Sequence, residues 1–303
     1  MTKSNQTIHK PVLLNEVIES LDLKKSDIVF DGTLGGGGYS FLICQKIGKD
    51  GILIGTDLDS TAISKTKERL KDFENKKYFF QKNYSEIKNI LKELKISKVD
   101  KIVLDLGISS DQLLKNKRGI SFQDGGELLD MNLSDKDKKI TASEILNTYS
   151  EETLADLFYY YGGEKAARKI AKAIVQKRKE KEFKIVSDLT ELIEEEIGHF
   201  YKHKKINPST KVFQALRITV NDEISNLKKV LEDGFEVLEK DGLFAVVAFH
   251  SLEDRNVKRI FQNFQKEGLG EKVNKKVIKP SEEELSENKR ARSAKLRVFK
   301  KLI

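Results

Sequence analysis

Near the start of the chain, short unbroken apolar runs alternate with segments in which apolar positions recur about every three to four residues, the spacing of one helix face. DIVF, GILIG, KKYFF and KIVLDL read as four buried strands, and GYSFLICQKIG, TAISKTKERLKDF and SEIKNILKELK read as the helices between them. This alternation predicts an α/β fold with a parallel sheet covered on both faces, whose ligands bind beyond the carboxyl ends of the strands. The loops at those ends are GTLGGGG, TDLD, KNYS and DLGISS.

After Gln112 the rhythm stops. From Leu113 to Asn207 no buried strand stands out, while Ser150 to Gly162 and the stretch from Ala167 have helical spacing. The expected organisation is a sheet domain in two parts, residues 1–112 and 208–303, interrupted by a helical insertion at 113–207 on the substrate side. In the second part FQALRITVNDEISNLKKVLEDGFEVL reads as one long helix, GLFAVVAFH as a strand and SLEDRNVKRIFQNF as a helix. KKVIKP and KLRVFKK read as two closing strands.

Composition narrows the function classes. Of 303 residues, 38% are hydrophobic and 34% charged, a globular balance. The longest apolar run, Leu243 to Phe249, is far shorter than the roughly 20 residues of a membrane-spanning helix. The first residues lack the apolar core of a secretory signal, so a cytoplasmic protein without a membrane partner is expected. Cys44 is the only cysteine, which excludes an intrachain disulfide and a zinc site of paired cysteines. His199 and His203 lack both the glutamate of HExxH and an evident third ligand, and no metal is expected.

The net charge of +8 is unevenly placed: from Lys272 to Lys301 eleven Lys or Arg stand against four Asp or Glu. Basic residues also gather in Glu164 to Lys184 and in Tyr201 to Lys211. Clustered cations release counterions when they meet phosphates, which points to a nucleic-acid partner. In the 164–184 stretch Lys alternates with Glu, and a solvated helix face explains it as well.

The four glycines Gly35 to Gly38 let backbone approach a ligand closely, yet the dinucleotide pattern GxGxxG fails in either register, at Ser40 or Phe41. Asp57, ending the second strand, is placed to accept hydrogen bonds from a ribose diol. Asp59 is expected to cap the next helix. The strings HKPVLLNEV, DGTLGGGGYS, TDLD, DLGISSDQL, RGISF, LLDM, FQALRITVNDE, HSLEDR and RARSAKLRV, in this order, resemble the bacterial small-subunit ribosomal RNA cytosine-N4 methyltransferase family, MraW or RsmH.

The resemblance implies a class I, Rossmann-like S-adenosylmethionine-dependent methyltransferase sheet with an inserted helical domain. It also implies methyl transfer from S-adenosyl-L-methionine to the exocyclic N4 of a cytidine in the decoding region of small-subunit ribosomal RNA, free or within an assembling 30S subunit. Cofactor contacts would fall on Gly37, Gly38, Tyr39, Asp57, Tyr84, Asp105 and Gln112. Tyr39 stands where the family usually has His, so imidazole chemistry is not essential at that position. Leu114, Ile120 and the longer GGELLDM also depart from the family pattern.

Because the lone pair of the amine is delocalised into the ring, the site needs a proton acceptor. Asp105, Ser109 and Ser110 are the candidates, and Asp105 could equally serve the cofactor alone. His250 could orient base or phosphate or cap the helix that follows, where Ser251 to Asp254 resembles a capping box. Arg255, Arg292, Lys295 and Arg297 are expected to meet RNA phosphates. A second reading is a non-catalytic, cofactor-binding ribosome-assembly factor of the same fold. Apolar stripes on the insertion would be buried either within its own unit or in a homodimer.

Overall fold

Each of the four early apolar runs forms a strand in the computed structural model, which describes residues 11–107, 117–134, 140–204 and 206–303. The first part contains α1 (Leu14–Ser20), β1 (Ile28–Asp31), α2 (Gly38–Ile47), β2 (Ile52–Thr56) and α3 (Ser60–Arg69). It continues with β3 (Lys76–Phe80), α4 (Ile87–Leu94) and β4 (Val99–Asp105). Among the described residues there follow α5 (Ala142–Thr148), α6 (Glu151–Tyr160), α7 (Ala167–Lys177), α8 (Val186–Ile197) and α9 (Thr210–Asn221). The chain then returns through α10 (Glu223–Val237), β5 (Leu238–Ala248), α11 (Ser251–Lys266), β6 (Gly270–Lys272), α12 (Glu282–Glu287) and β7 (Lys295–Lys301).

The seven strands form one sheet in the order β3-β2-β1-β4-β5-β7-β6. β1 to β5 are parallel, with Phe30 level with Ile54 on one side and Ile102 on the other, and β7 runs antiparallel to β5 and β6. Because successive strand residues face opposite sides, the apolar runs feed two cores. Val29, Leu53, Val103 and Ala245 pack with Ile43 and Ile47 of α2. Phe30, Ile54, Ile102 and Phe244 pack with Ile90 of α4, Leu231 of α10 and Phe261 of α11. Removing each of these Val, Leu, Ile and Phe side chains from water contributes about 1.5–3 kcal/mol. α10 lies close on this second face at Gly234, where a Cβ would stand 2.9 Å from the Phe244 ring. The direction of chain progression reverses between β1 and β4, which opens a crevice beyond their carboxyl ends.

The chain divides into two compact units, Met1–Gly107 with Ile224–Ile303, and Ile108–Glu223. The helical unit has its own core, in which Phe158, Ile170, Ile174, Leu189, Ile193 and Leu216 are buried, so the apolar stripes of its helices face one another.

Three sequence expectations change. The boundaries expected after residues 112 and 207 move, because α9 packs with the helical unit. The single long helix is two, since Asp222 takes a left-handed conformation (φ 51°) and its N–H closes the last turn of α9. Aspartate tolerates that conformation as a single residue, and the apolar period continues across it, so the break is hidden from periodicity. KKVIKP contributes only an isolated bridge, Ile278 with Leu296, and the edge strand is the three-residue β6.

Candidate active site

Three carboxylates gather on the rim that the strand order creates: Asp31 ending β1, Asp57 just after β2 and Asp105 ending β4. The glycine turn lies between β1 and α2. Gly37 caps α2 with φ 72°, and a Cβ there would sit 2.9 Å from Thr66 Oγ1. Gly35 also has positive φ, while at Gly38 a Cβ would fall 2.1 Å from Pro11 Cγ. Gly36 meets no such restriction. Three of the four glycines are therefore required by conformation or by space.

Asp57 Oδ2 accepts the Gly35 N–H at 2.9 Å and its Oδ1 accepts the Asp59 N–H at 2.9 Å. These bonds aim the carboxylate while leaving each oxygen a lone pair for a ligand hydroxyl. Burial pushes the Asp57 pKa up, and the two N–H groups oppose it. Asp59 itself caps α3 by accepting the Thr61 N–H at 2.8 Å. Asp31 is wholly buried, accepting the Ser40 hydroxyl at 2.6 Å and the Thr33 N–H at 3.1 Å. Burial pushes it up to about 6.

Asp105 is tied to the turn through its N–H, which donates to Thr33 Oγ1 at 2.7 Å. Its Oδ1 is buried and has no hydrogen-bond partner among the described residues. Burial holds its carboxyl well above the usual range, helped by the negative charges of Asp31, Glu253 and Glu284. An unpaired buried acid among other acids is costly unless a cation joins it. S-adenosylmethionine, with its sulfonium and ammonium, is a ligand of that chemistry, and the residues present fit it.

Tyr84 begins the short turn Tyr84–Glu86 after β3, with its Cβ against Gly32, where a glycine Cβ would stand 2.9 Å away. Tyr39 is buried, and its hydroxyl donates to the Val12 carbonyl. Burial, together with Asp105 and Asp31, raises its pKa well above the ordinary phenol value. At this position the ring ties α2 to the segment before α1.

At the end of β5, His250 rather than Ser251 caps α11, and the box partner is Glu253 rather than Asp254. His250 Nδ1 accepts the Glu253 N–H at 3.3 Å, while Glu253 Oε2 accepts the N–H groups of Phe249 at 2.8 Å and His250 at 3.2 Å. With Nδ1 as acceptor, the neutral ring carries its proton on Nε2. That atom is buried 3.1 Å from Glu253 Oε1 without an aligned hydrogen bond among the described residues.

Asp254 instead reaches β7, where Lys295 Nζ lies 2.8 Å and Arg297 Nε 2.7 Å from its two oxygens. Burial pushes its pKa up, but the hydrogen bonds and charges of Arg297 and Lys295 together hold it below the usual carboxylate range. Of the four cations expected to meet RNA, these two are therefore engaged internally, whereas Arg255 and Arg292 are exposed. The reason is proximity: the first turn of α11 fixes the Asp254 carboxylate against β7. Asp254→Ala would leave two half-buried cations adjacent, and a loss of about 2–3 kcal/mol is expected. Thermal unfolding checks this, and an unchanged midpoint would show that the triad contributes nothing.

Ser109, Ser110 and Gln112 lie outside the described residues. Sequence reasoning passed over Asp31, although an acid directly before a glycine turn was a usable signal. It also missed Glu253, whose offset of three from His250 matches a capping box, and Glu284, which accepts the Leu13 N–H at 2.8 Å from 271 residues away. No local pattern points to Glu284.

A doubly wound sheet of this order, with a glycine turn after β1 and acids ending neighbouring strands, defines a class I, Rossmann-like S-adenosylmethionine-dependent methyltransferase. Within that class the chain belongs to the MraW methylase family, whose model matches residues 6–302. It is 47% identical over 293 residues, 97% of this chain and 96% of the relative, to ribosomal RNA small subunit methyltransferase H of Dictyoglomus thermophilum. The protein of the same name from Coprothermobacter proteolyticus is 43% identical over 298 residues, with 98% and 97% covered. Among solved structures, an rRNA methylase from Streptococcus thermophilus superposes with TM-score 0.45 at 10% identity, covering 96% of this chain and 94% of that one. A methyltransferase homolog from Pyrococcus horikoshii gives 0.46 at 15%, with 95% and 66% covered. The strand order and the family, not these two likenesses, carry the fold.

Proposed function

We propose that this protein methylates the exocyclic N4 of a cytidine in the decoding region of small-subunit ribosomal RNA, within the assembled or assembling subunit. The relatives' names support ribosomal RNA as the substrate. The observation that carries the chemistry is the buried Asp105 Oδ1 beside the glycine turn, which has no hydrogen-bond partner among the described residues. Asp57 would accept from the ribose hydroxyls, Tyr84 would lie against the adenine, and the backbone of Gly37 and Gly38 would border the methionine part. When bound, S-adenosylmethionine supplies an electrophilic methyl group on sulfur.

The chain's own task is to hold the amine in line and to take its proton as the C–N bond forms and the methyl–sulfur bond breaks, the sulfur leaving as a neutral thioether. Asp105 is the acceptor in this reading, with Ser109 and Ser110, four and five residues on in the sequence, as further candidates. His250 holds the start of α11 in place and so sets the rim at the end of β5 that base or phosphate would meet. Arg255 and Arg292 meet RNA phosphates.

The test is methyl transfer from labelled S-adenosylmethionine to small subunits lacking their modifications, followed by digestion and nucleoside identification. Labelled N4-methylcytidine at one position is expected. A different labelled nucleoside would overturn the N4 assignment. Binding of cofactor and subunit without any label would favour a non-catalytic assembly factor.

A further inference from the structure

One end of the helical unit exposes aromatic rings and cations that the chemistry above does not use. α6 ends in consecutive tyrosines; Tyr159 and Tyr160 are 56% and 65% exposed, their rings edge-on with centroids 5.2 Å apart. Phe200, 52% exposed, stands with His199 against its ring at 3.9 Å. Hydrogen bonds to the turn between α6 and α7 gather these rings at one end. The Tyr201 hydroxyl donates to Glu164, Lys211 Nζ donates to the Gly163 carbonyl at 2.9 Å, and Gln214 Nε2 donates to the Tyr161 carbonyl at 3.1 Å.

Cations surround the rings. Arg168, Lys202 and Lys204 are exposed there, and Lys169 Nζ lies 5.9 Å from the Phe200 ring centre. Of the acids on the same elements, Glu164 is buried against Tyr201 and Glu196 pairs with Lys169 at 3.2 Å, while Asp156, Glu194 and Glu195 are exposed. A single exposed tyrosine needs no explanation, but three large exposed rings within a basic surface do.

We propose that this end of the helical unit is a platform on which unpaired bases of single-stranded RNA stack, with Arg168, Lys202 and Lys204 taking the phosphates. The proposal rests on the reading of ribosomal RNA as substrate and adds where, and in which form, the RNA is held. Flat rings accept any base face, and interleaved cations follow the backbone. A second copy of the chain fits poorly, since a two-fold contact would set this basic surface against itself.

The experiment uses the full chain and three probes: a single-stranded RNA oligonucleotide, a duplex of the same length, and phosphatidylcholine–phosphatidylserine vesicles. Tyr159→Ser with Tyr160→Ser is expected to weaken single-strand binding about tenfold or more, and the Tyr→Phe pair to retain it, because stacking needs the ring and not the hydroxyl. The wild-type chain is expected to prefer the single strand to the duplex. Circular dichroism and affinity for S-adenosylmethionine report whether each variant is folded. Equal single-strand affinity in the Ser and wild-type chains would overturn the platform. So would equal loss in the Phe and Ser pairs, or tyrosine-dependent binding to vesicles in place of RNA. Methyl transfer by the wild-type chain is read separately, so absence of transfer with tyrosine-dependent binding intact counts against the reaction and not against the platform.

Discussion

Asp105→Asn is expected to lower the rate of methyl transfer by about a hundredfold or more, the usual worth of a positioned proton acceptor. The substitution keeps shape and removes charge, so its two readouts separate two roles. If Asp105 takes the amine proton, turnover falls while affinity for S-adenosylmethionine stays within a few-fold. If it only pairs with the cationic cofactor, affinity falls and turnover at saturation is largely kept. Unchanged rate and affinity would remove Asp105 from both.

The raised pKa of Asp105 adds a pH dependence with a definite sign. Burial favours its neutral form in the free protein, and a cation beside it favours the carboxylate. Binding a cationic cofactor therefore expels a proton wherever the free protein still holds it. Affinity should rise with pH and level off once Asp105 is ionised in the free protein. Calorimetry in two buffers of different ionisation heat would detect proton release on the rising part and none on the plateau. Asp105→Asn should abolish that difference, and release persisting in the variant would assign the proton elsewhere.

Asp31→Asn is expected to stabilise the protein above neutral pH. The Asp31 pKa is about 6 in the folded chain against 3.8 for an ordinary aspartate, so the folded state binds the proton more tightly. Its contribution to stability is fully present below 3.8 and is lost as pH rises through 6. Above that point the buried carboxylate costs up to about 3 kcal/mol, a little over two pKa units at 1.36 kcal/mol each.

An asparagine can keep both bonds, its oxygen accepting the Thr33 N–H and its amide donating to Ser40 Oγ. The unfolding midpoint of the variant should exceed wild type at pH 8, and the gap should close toward pH 4. A gap that does not change with pH would mean that Asp31 is not the titrating group. Stability gained this way is expected to cost cofactor affinity, because the same charge helps make the rim attractive to a cation.

The features legible in the sequence were those that act over a few residues. Alternating apolar runs and helical spacing located β1 to β5 with their helices, since an inner strand buried on both faces must be apolar and an amphipathic helix must repeat its face; KKYFF, read as buried, forms the edge strand β3, none of whose residues is buried. The glycine turn and the cap at Asp59 were visible because local backbone geometry demands those residue types. The strings that matched the methyltransferase family added the cofactor, which spacing alone left open.

Other features depended on which distant residues meet. Asp222 ends α9 inside an unbroken apolar period, and only the packing of α9 with the helical unit and α10 with the sheet explains the break. Lys295 and Arg297 read as RNA contacts until β7 paired with β5 and set both cations on Asp254, more than forty residues away in the chain. The Asp105 carboxylate reads as one acid among many, yet burial beside Asp31 raises its pKa and leaves one oxygen without a partner among the described residues. Local sequence records propensity and the face to be buried, whereas charge, desolvation and hydrogen bonding depend on distances in space, and those were decided only when the strands found their order.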